Sequence, residues 1–169
     1  MQRNEYVCQW RHARPGGLVS LPESMQVCAL ATVPPVALAQ LMLDAYRGTV
    51  DDAGETLADA LHEVHGFWAG TAGVTPWAEV CTGVMADDAL VAACVVGEWQ
   101  SRQVLLIAYV LTHPAWQRRG LASALVGRAL QHLWQHQRWP VYAVITAGNL
   151  PSERMMMRVG FERLEQTLV

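Results

Sequence analysis

The chain has 169 residues, 52% of them hydrophobic and 16% charged, with a net charge of −3. That length supports one folded domain with a sizeable core; the composition excludes intrinsic disorder, and the near-neutral balance excludes a global attraction to nucleic acid. No apolar run is long enough to span a bilayer and the first residues lack the apolar core of a signal peptide, so the expectation is a soluble cytoplasmic protein. Cys8, Cys28, Cys81 and Cys94 are scattered among apolar neighbours without a CxxC pair, which reads as free, buried thiols in a reducing compartment. All 12 basic residues are arginine.

Residues 1–24 are weakly patterned and form either a leader or an extra strand. A turn signal at Pro15-Gly16-Gly17 joins two short strands or simply leads into the domain that occupies residues 25–169. Gln26 to Val33 reads as a strand stopped by Pro34-Pro35, and the second proline suits the first turn of a helix. That helix covers Val36 to Arg47, with Leu38, Leu41, Met42 and Ala45 on its inner face, and Gly48 closes it. An acidic loop with Asp51, Asp52 and Glu55 follows, and Thr56 caps a second helix through about Gly66, with Leu57, Leu61 and Val64 inward.

Strands at about Glu79 to Met85, Leu90 to Trp99 and Gln103 to Thr112, separated by Asp87-Asp88 and Gln100-Ser101-Arg102, predict an antiparallel meander. A long helix from Leu121 to about Gln137 carries a wide apolar stripe built from Leu121, Leu125, Ala129 and Leu133 beside Ala122, Val126 and Leu130. Val141 to Thr146 then reads as a strand parallel to the one before the helix. A short helix over Ser152 to about Val159 ends at Gly160, and Phe161 to Leu168 forms a last strand.

The most informative stretch joins the meander to the long helix: Gln117-Arg118-Arg119-Gly120-Leu121-Ala122-Ser123. Two guanidiniums precede a helix whose first turn holds only Gly, Leu, Ala and Ser. Unpaired amides and the helix dipole favour an anion there, and small side chains let it approach the backbone, so this segment reads as a phosphate cradle.

This order of elements, with Gln117 to Ala122 at the junction, resembles the GCN5-related N-acetyltransferase (GNAT) superfamily over about Gln26 to Leu168. The family signature Gln/Arg-x-x-Gly-x-Gly/Ala ends here on Ala122, and a second signature pairs Asn149 with Gly160-Phe161. The resemblance implies a mixed α/β fold: a mostly antiparallel central sheet with one splayed parallel pair, commonly with a bulge in the meander's last strand, and flanking helices. It also implies acetyl-CoA as acyl donor with no metal. The pyrophosphate would rest on amides from Arg118 to Ser123, and the pantetheine arm along Val110, Leu111 and Thr112, with Asn149 bonding the arm or merely ending a strand. The Val110 amide would polarise the thioester carbonyl. In this family the loop between the first two helices often walls the acceptor site, which would bring Tyr46, Asp51, Asp52 and Glu55 to an amine substrate.

Two family positions differ. The tyrosine that commonly serves as general acid is replaced by Met156, whose thioether has no proton to give. The positions of a glutamate base and of another base correspond to Leu106 and Val144. Tyr46, Asp51, Asp52, Glu55, Tyr109 and His113 are the remaining titratable groups expected nearby. Two functions follow: an N-acetyltransferase acting on a small amine or a protein amino group by direct attack in a ternary complex, or an acyl-CoA-binding sensor that has kept the cradle and lost the chemistry. The expected partners are acetyl-CoA and an amine, without nucleic acid or membrane, and a homodimer is left open.

Overall fold

A computed structural model describes residues 2–9 and 25–165. In chain order it contains β1 (Arg3–Cys8), β2 (Met25–Ala29), α1 (Pro35–Tyr46), α2 (Leu57–Trp68), β3 (Val74–Pro76), β4 (Thr82–Ala86), β5 (Ala89–Trp99), β6 (Val104–Thr112), α3 (Leu121–Gln135), β7 (Val141–Thr146), α4 (Leu150–Arg158) and β8 (Glu162–Arg163). The strands form one mixed sheet in the order β2-β4-β5-β6-β7-β1-β8, with β3 added on β5. Only β6 and β7 run parallel; the other neighbours are antiparallel. The mixed fold, the meander and the parallel pair expected from the sequence are all present.

The core fills both faces of this sheet. On one side Leu38, Leu41 and Met42 of α1 and Val64 and Phe67 of α2 are buried; on the other, α3 buries Leu121, Leu125, Val126, Ala129, Leu130 and Leu133. β5 lies in the middle, and its run from Leu90 to Gly97 is buried without alternation, as a strand covered on both faces must be. Gly97 is required there: a Cβ would lie 2.6 Å from the carbonyl oxygen of Thr75 on β3.

Several boundaries differ from the sequence reading, each for a local reason. The first predicted strand ends at Ala29, because Leu30–Thr32 tightens into a 3-10 turn in which the Thr32 hydroxyl donates to the Ala29 carbonyl at 2.8 Å. In α2, Ala60, Val64 and Phe67 form the inward row, Leu61 is half-buried and Leu57 is exposed. The large ring of Phe67 sets this rotation by packing edge-on against Trp68 and Tyr109. The strand expected from Glu79 begins at Thr82, since Trp77 to Cys81 is a hydrogen-bonded turn. α4 starts two residues before the predicted Ser152; of the strand expected over Phe161 to Leu168, Glu162–Arg163 is a strand and residues 166–168 lie outside the described residues.

The N-terminal residues supply a structural strand. β1 lies between β7 and β8 and is antiparallel to both, so β8 reaches the sheet only through it. Tyr6 and Cys8 point into the core, while the Asn4 side chain bridges Glu153 of α4 and Arg163 of β8. The turn signal at Pro15-Gly16-Gly17 falls outside the described residues.

Tyr6 is 1% exposed, and truncating it empties the joint between β1, β7 and α4. Tyr6→Ala is expected to lower the unfolding free energy by about 3–5 kcal/mol, the scale of a buried aromatic truncation. Urea titration should show the midpoint falling at unchanged slope.

Candidate functional site

The site begins with a mismatch in strand pairing. β5 and β6 pair Val95 with Tyr109 but Val96 with Ile107, so Ala108 is an extra residue in β6. Such a bulge bends its strand. Accordingly β6 stays paired with β7 only through Leu105, Leu106 and Ile107, and the two strands separate beyond that point.

The orientation of the main chain along the gap follows from one hydrogen bond. The His113 amide donates to the Val91 carbonyl at 2.9 Å, which makes Thr112 and Ala92 a pair without mutual hydrogen bonds. By the alternation of an antiparallel ladder, Leu111 bonds β5, whereas Val110 and Thr112 turn their N–H and C=O groups toward the gap. Leu111 is fully buried; Val110 and Thr112 are half-buried. Two strand residues thus offer main-chain partners to an extended ligand lying where β7 would have continued.

Beyond the gap, His113 caps a 3-10 turn at Pro114–Trp116 by accepting from the Ala115 amide at its Nδ1. Arg118 and Gly120 then both take left-handed backbone angles, φ 60° and 80°. Gly120 is the N-cap of α3 and has no side chain to bond the first turn, whose earliest helical bond runs from the Ala124 amide to the Gly120 carbonyl. The amides of Leu121, Ala122 and Ser123 precede that bond, so the positive end of the helix is left open. Gln117, Arg118 and Arg119 are exposed around it, and the Arg119 guanidinium lies 4.6 Å from the centre of the Trp116 ring. The sequence-predicted cradle and gap residues are therefore contiguous.

The loop between α1 and α2 reaches the end of β7. Asn149, the N-cap of α4, accepts from the Ser152 amide at 3.2 Å, and its side-chain amide donates to Asp51 at 2.6 Å. Asp52 turns back into its own loop, where the Gly48 and Gly54 amides donate to it and hold its carboxyl below the ordinary range. Glu55 accepts from the Ala53 amide. The predicted wall thus divides: Asp52 shapes the loop, and Asp51 latches the loop to α4.

Two phenols form the inner part of this wall. The hydroxyl of Tyr109, the residue after the bulge, donates to Glu63 of α2 at 2.6 Å. Burial and then the Glu63 bond and charge raise the Tyr109 pKa well above its usual value. Tyr46, at the end of α1, is raised by burial and by the charges of Asp51, Glu63 and Glu55, against an opposing effect of Arg3. Tyr109 thus donates its phenol proton to a carboxylate, and Tyr46 feels the charges of three. Glu63 was absent from the sequence reading. Its spacing of one helical turn before Phe67, the α2 ring that meets Tyr109, was the available signal.

The positions noted as departures are apolar in place as well as in kind. Met156 is 4% exposed and Leu106 9%, so both belong to the core. Val144 is half-buried on β7 opposite Glu5. Of the three consecutive methionines, Met157 alone faces solvent. A separate polar cleft of about 270 Å³, lined by Glu79, Thr82, Arg128 and His132, flanks the C-terminal half of α3 away from the cradle. Among the described residues no group of three or more His, Cys, Asp or Glu side chains is arranged to hold a metal, and no helix is long and apolar enough to cross a membrane.

Comparison with known proteins gives a consistent setting for this geometry. A family profile described as an acetyltransferase (GNAT) domain matches residues 37–162. A GCN5-related N-acetyltransferase from Sphaerobacter thermophilus superposes with a TM-score of 0.68 at 15% identity, over 96% of this chain and 48% of its own. The present chain thus spans about half of that protein. A putative acetyltransferase from Salmonella typhimurium, solved with its cofactor acetyl-CoA, has a TM-score of 0.64 at 19% identity, covering 83% of this chain and 80% of its own. An aminoglycoside N-acetyltransferase solved with CoA has a TM-score of 0.61 at 14% identity, covering 90% of this chain and 97% of its own. At these identities the solved structures establish the fold alone, and a search of curated proteins by sequence finds no match.

The Glu63–Tyr109 bond is directly measurable. Glu63→Gln removes a charge that raises the Tyr109 pKa, so the phenol should titrate at lower pH than in the native protein while remaining above its ordinary value because of burial. Tyrosine ionisation followed by NMR of the ring carbons should show that downward shift, and an unchanged titration would contradict the assigned bond.

Proposed function

Because this chain belongs to the GNAT acetyltransferase family, whose domain profile spans residues 37–162, we propose that it is an acetyl-CoA-dependent N-acetyltransferase acting on a primary amine by direct attack in a ternary complex. The observation that carries this reading is the alignment of two open main-chain surfaces. The Val110 and Thr112 groups face the gap beyond Ile107, and the bare first turn of α3 lies immediately downstream. An extended ligand with an anionic group at one end and an acyl group at the other matches both.

The residues have distinct tasks in this reading. Amides of Gly120 to Ser123, with Arg118 and Arg119 around them, hold the pyrophosphate. Val110 and Thr112 pair with the pantetheine arm as a missing strand would. The Val110 amide donates to the acyl carbonyl oxygen as negative charge collects there. Asn149, already committed to Ser152 and Asp51, keeps the loop between α1 and α2 against the arm.

When bound, acetyl-CoA supplies an activated acyl group and a thiolate that leaves readily, so loss of the usual tyrosine at Met156 does not stop the transfer. The acceptor needs a base more than the donor needs an acid, because a primary amine is an ammonium at neutral pH. Glu63 is exposed and held in orientation by the Tyr109 hydroxyl, and it takes the amine proton directly or through one water. The nitrogen then bonds the acyl carbon, the carbon–sulfur bond breaks with its electron pair going to sulfur, the second nitrogen proton passes to the departing thiolate or to solvent, and the proton on Glu63 passes to solvent. Asp51 and Glu55 add negative potential that draws a cationic acceptor to this wall.

The alternative, an acyl-CoA-binding sensor, is favoured by the burial of Met156 and Leu106 in the core. Following free thiol from acetyl-CoA across a panel of amines and peptides separates the two. Amine-dependent release is expected, with Glu63→Gln lowering kcat by about 10²–10⁴-fold at unchanged CoA affinity, the usual contribution of a positioned base. Tight binding without release across the panel would leave the sensor.

The cradle has its own test. Gly120→Asp forces a side chain into left-handed geometry and adds a negative charge at the helix N-terminus, so calorimetry with CoA should show affinity falling by about 10-fold or more. Unchanged affinity would remove the pyrophosphate from α3.

A further inference from the structure

The acceptor side is not built only from the residues that the family profile matches. β1 precedes that match and lies along β7, with Arg3 opposite Thr146 and the Ala147 amide donating to the Gln2 carbonyl at 2.9 Å. It therefore ends beside the separated part of β7, close to Asn149. Side chains alternate along β1: Asn4 turns to α4, where it meets Glu153, and Arg3 and Glu5 turn to the opposite face with Thr146 and Val144. That face carries α1 and α2, and the charge of Arg3 acts on the hydroxyls of both Tyr46 and Tyr109.

The two charged residues of this face differ in one respect. Glu5 is taken up by Arg102 at 2.8 Å. Arg3 is exposed and forms no ion pair among the described residues, although Asp51, Glu55 and Glu63 all act on the same phenol, Tyr46. A guanidinium without an ion pair among the described residues thus stands on the face of α1 and α2, beside the end of β7 where Asn149 meets Asp51, and it acts on Tyr46 together with three carboxylates. A diamine would be repelled by the first and a simple anion by the second, whereas a molecule carrying an amine and an anionic group satisfies both. The planar fork of arginine suits a carboxylate in particular.

We propose that Arg3 binds the carboxylate of an amino-acid acceptor whose amino group is directed at Glu63, so that the N-terminal strand sets acceptor specificity. The inference rests on the N-acetyltransferase reading and adds to it the class of acceptor. It also gives β1 a role beyond filling the sheet, because the same strand that carries Tyr6 into the core delivers Arg3 to the acceptor side.

The test uses the full chain with amino acids of graded chain length, each paired with its carboxamide, and follows thiol release from acetyl-CoA. The native protein is expected to favour the free acid over the carboxamide in kcat/KM by about 10- to 100-fold, the scale of a charge-assisted contact. Arg3→Met should abolish that preference by raising KM for the acids far more than for the carboxamides, with CoA affinity unchanged, and Arg3→Lys should restore part of it. Equal use of acid and carboxamide by the native protein overturns the role of Arg3 whatever the variants do. A preference that survives Arg3→Met, or faster release with diamines than with amino acids, overturns it too while leaving the transferase reading intact. Absence of release with every amine removes the transferase reading itself, and this inference with it.

Discussion

One extra residue in β6 governs how the sheet opens between β6 and β7. An antiparallel ladder tolerates an insertion only by bending, and at Ala108 the bend ends the pairing of β6 with β7 after Ile107. Without the bulge, the parallel pair would continue and its main-chain groups would satisfy each other. With it, the polar groups of Val110 and Thr112 are left facing a gap, and a ligand that supplies their missing partners gains what a neighbouring strand would have gained. The same residue places Tyr109 under α2, where it meets Phe67 and Glu63. The gap and the contact of Tyr109 with α2 therefore share a single backbone cause.

A sheet opened in this way has to be held from elsewhere, and two long-range contacts do so. β1 inserts between β7 and β8, pairing with β7 along its whole length and fastening the far side of the gap to the core through Tyr6 and Cys8. The loop between α1 and α2 crosses to the end of β7, where Asp51 accepts from Asn149. Asp52 keeps that loop closed on itself through the amides of Gly48 and Gly54. The separation of β6 and β7 is thus framed by a buried strand on one side and a polar latch across its end.

Much of this frame was legible in the residues themselves. The apolar period of α3, the proline start of α1, the Thr56 cap of α2 and the turns around the meander are local signals, and the elements they specify are present. The open start of α3 was legible for the same reason, since small residues behind a glycine at a helix start define an open N-terminus without reference to the rest of the chain. The errors arose where a large ring or a side-chain bond outweighed the local pattern. Phe67 rotated α2 so that Leu57 faces solvent, and the Thr32 hydroxyl helped turn the end of a predicted strand into a 3-10 turn.

By itself the sequence determined the order of elements, the fold class and the open turn before α3, because hydrophobic period, caps and glycine geometry act over a few residues. Only the tertiary structure decided what stands around the gap beside β7. Glu63 meets Tyr109 from 46 residues away and Asn149 meets Asp51 from 98 residues away. Arg3 is carried to the end of β7 by a strand pairing with Thr146, near the opposite end of the chain. Such contacts have no periodic trace, since a hydrogen bond between distant side chains depends on where the sheet carries them and not on their neighbours in sequence.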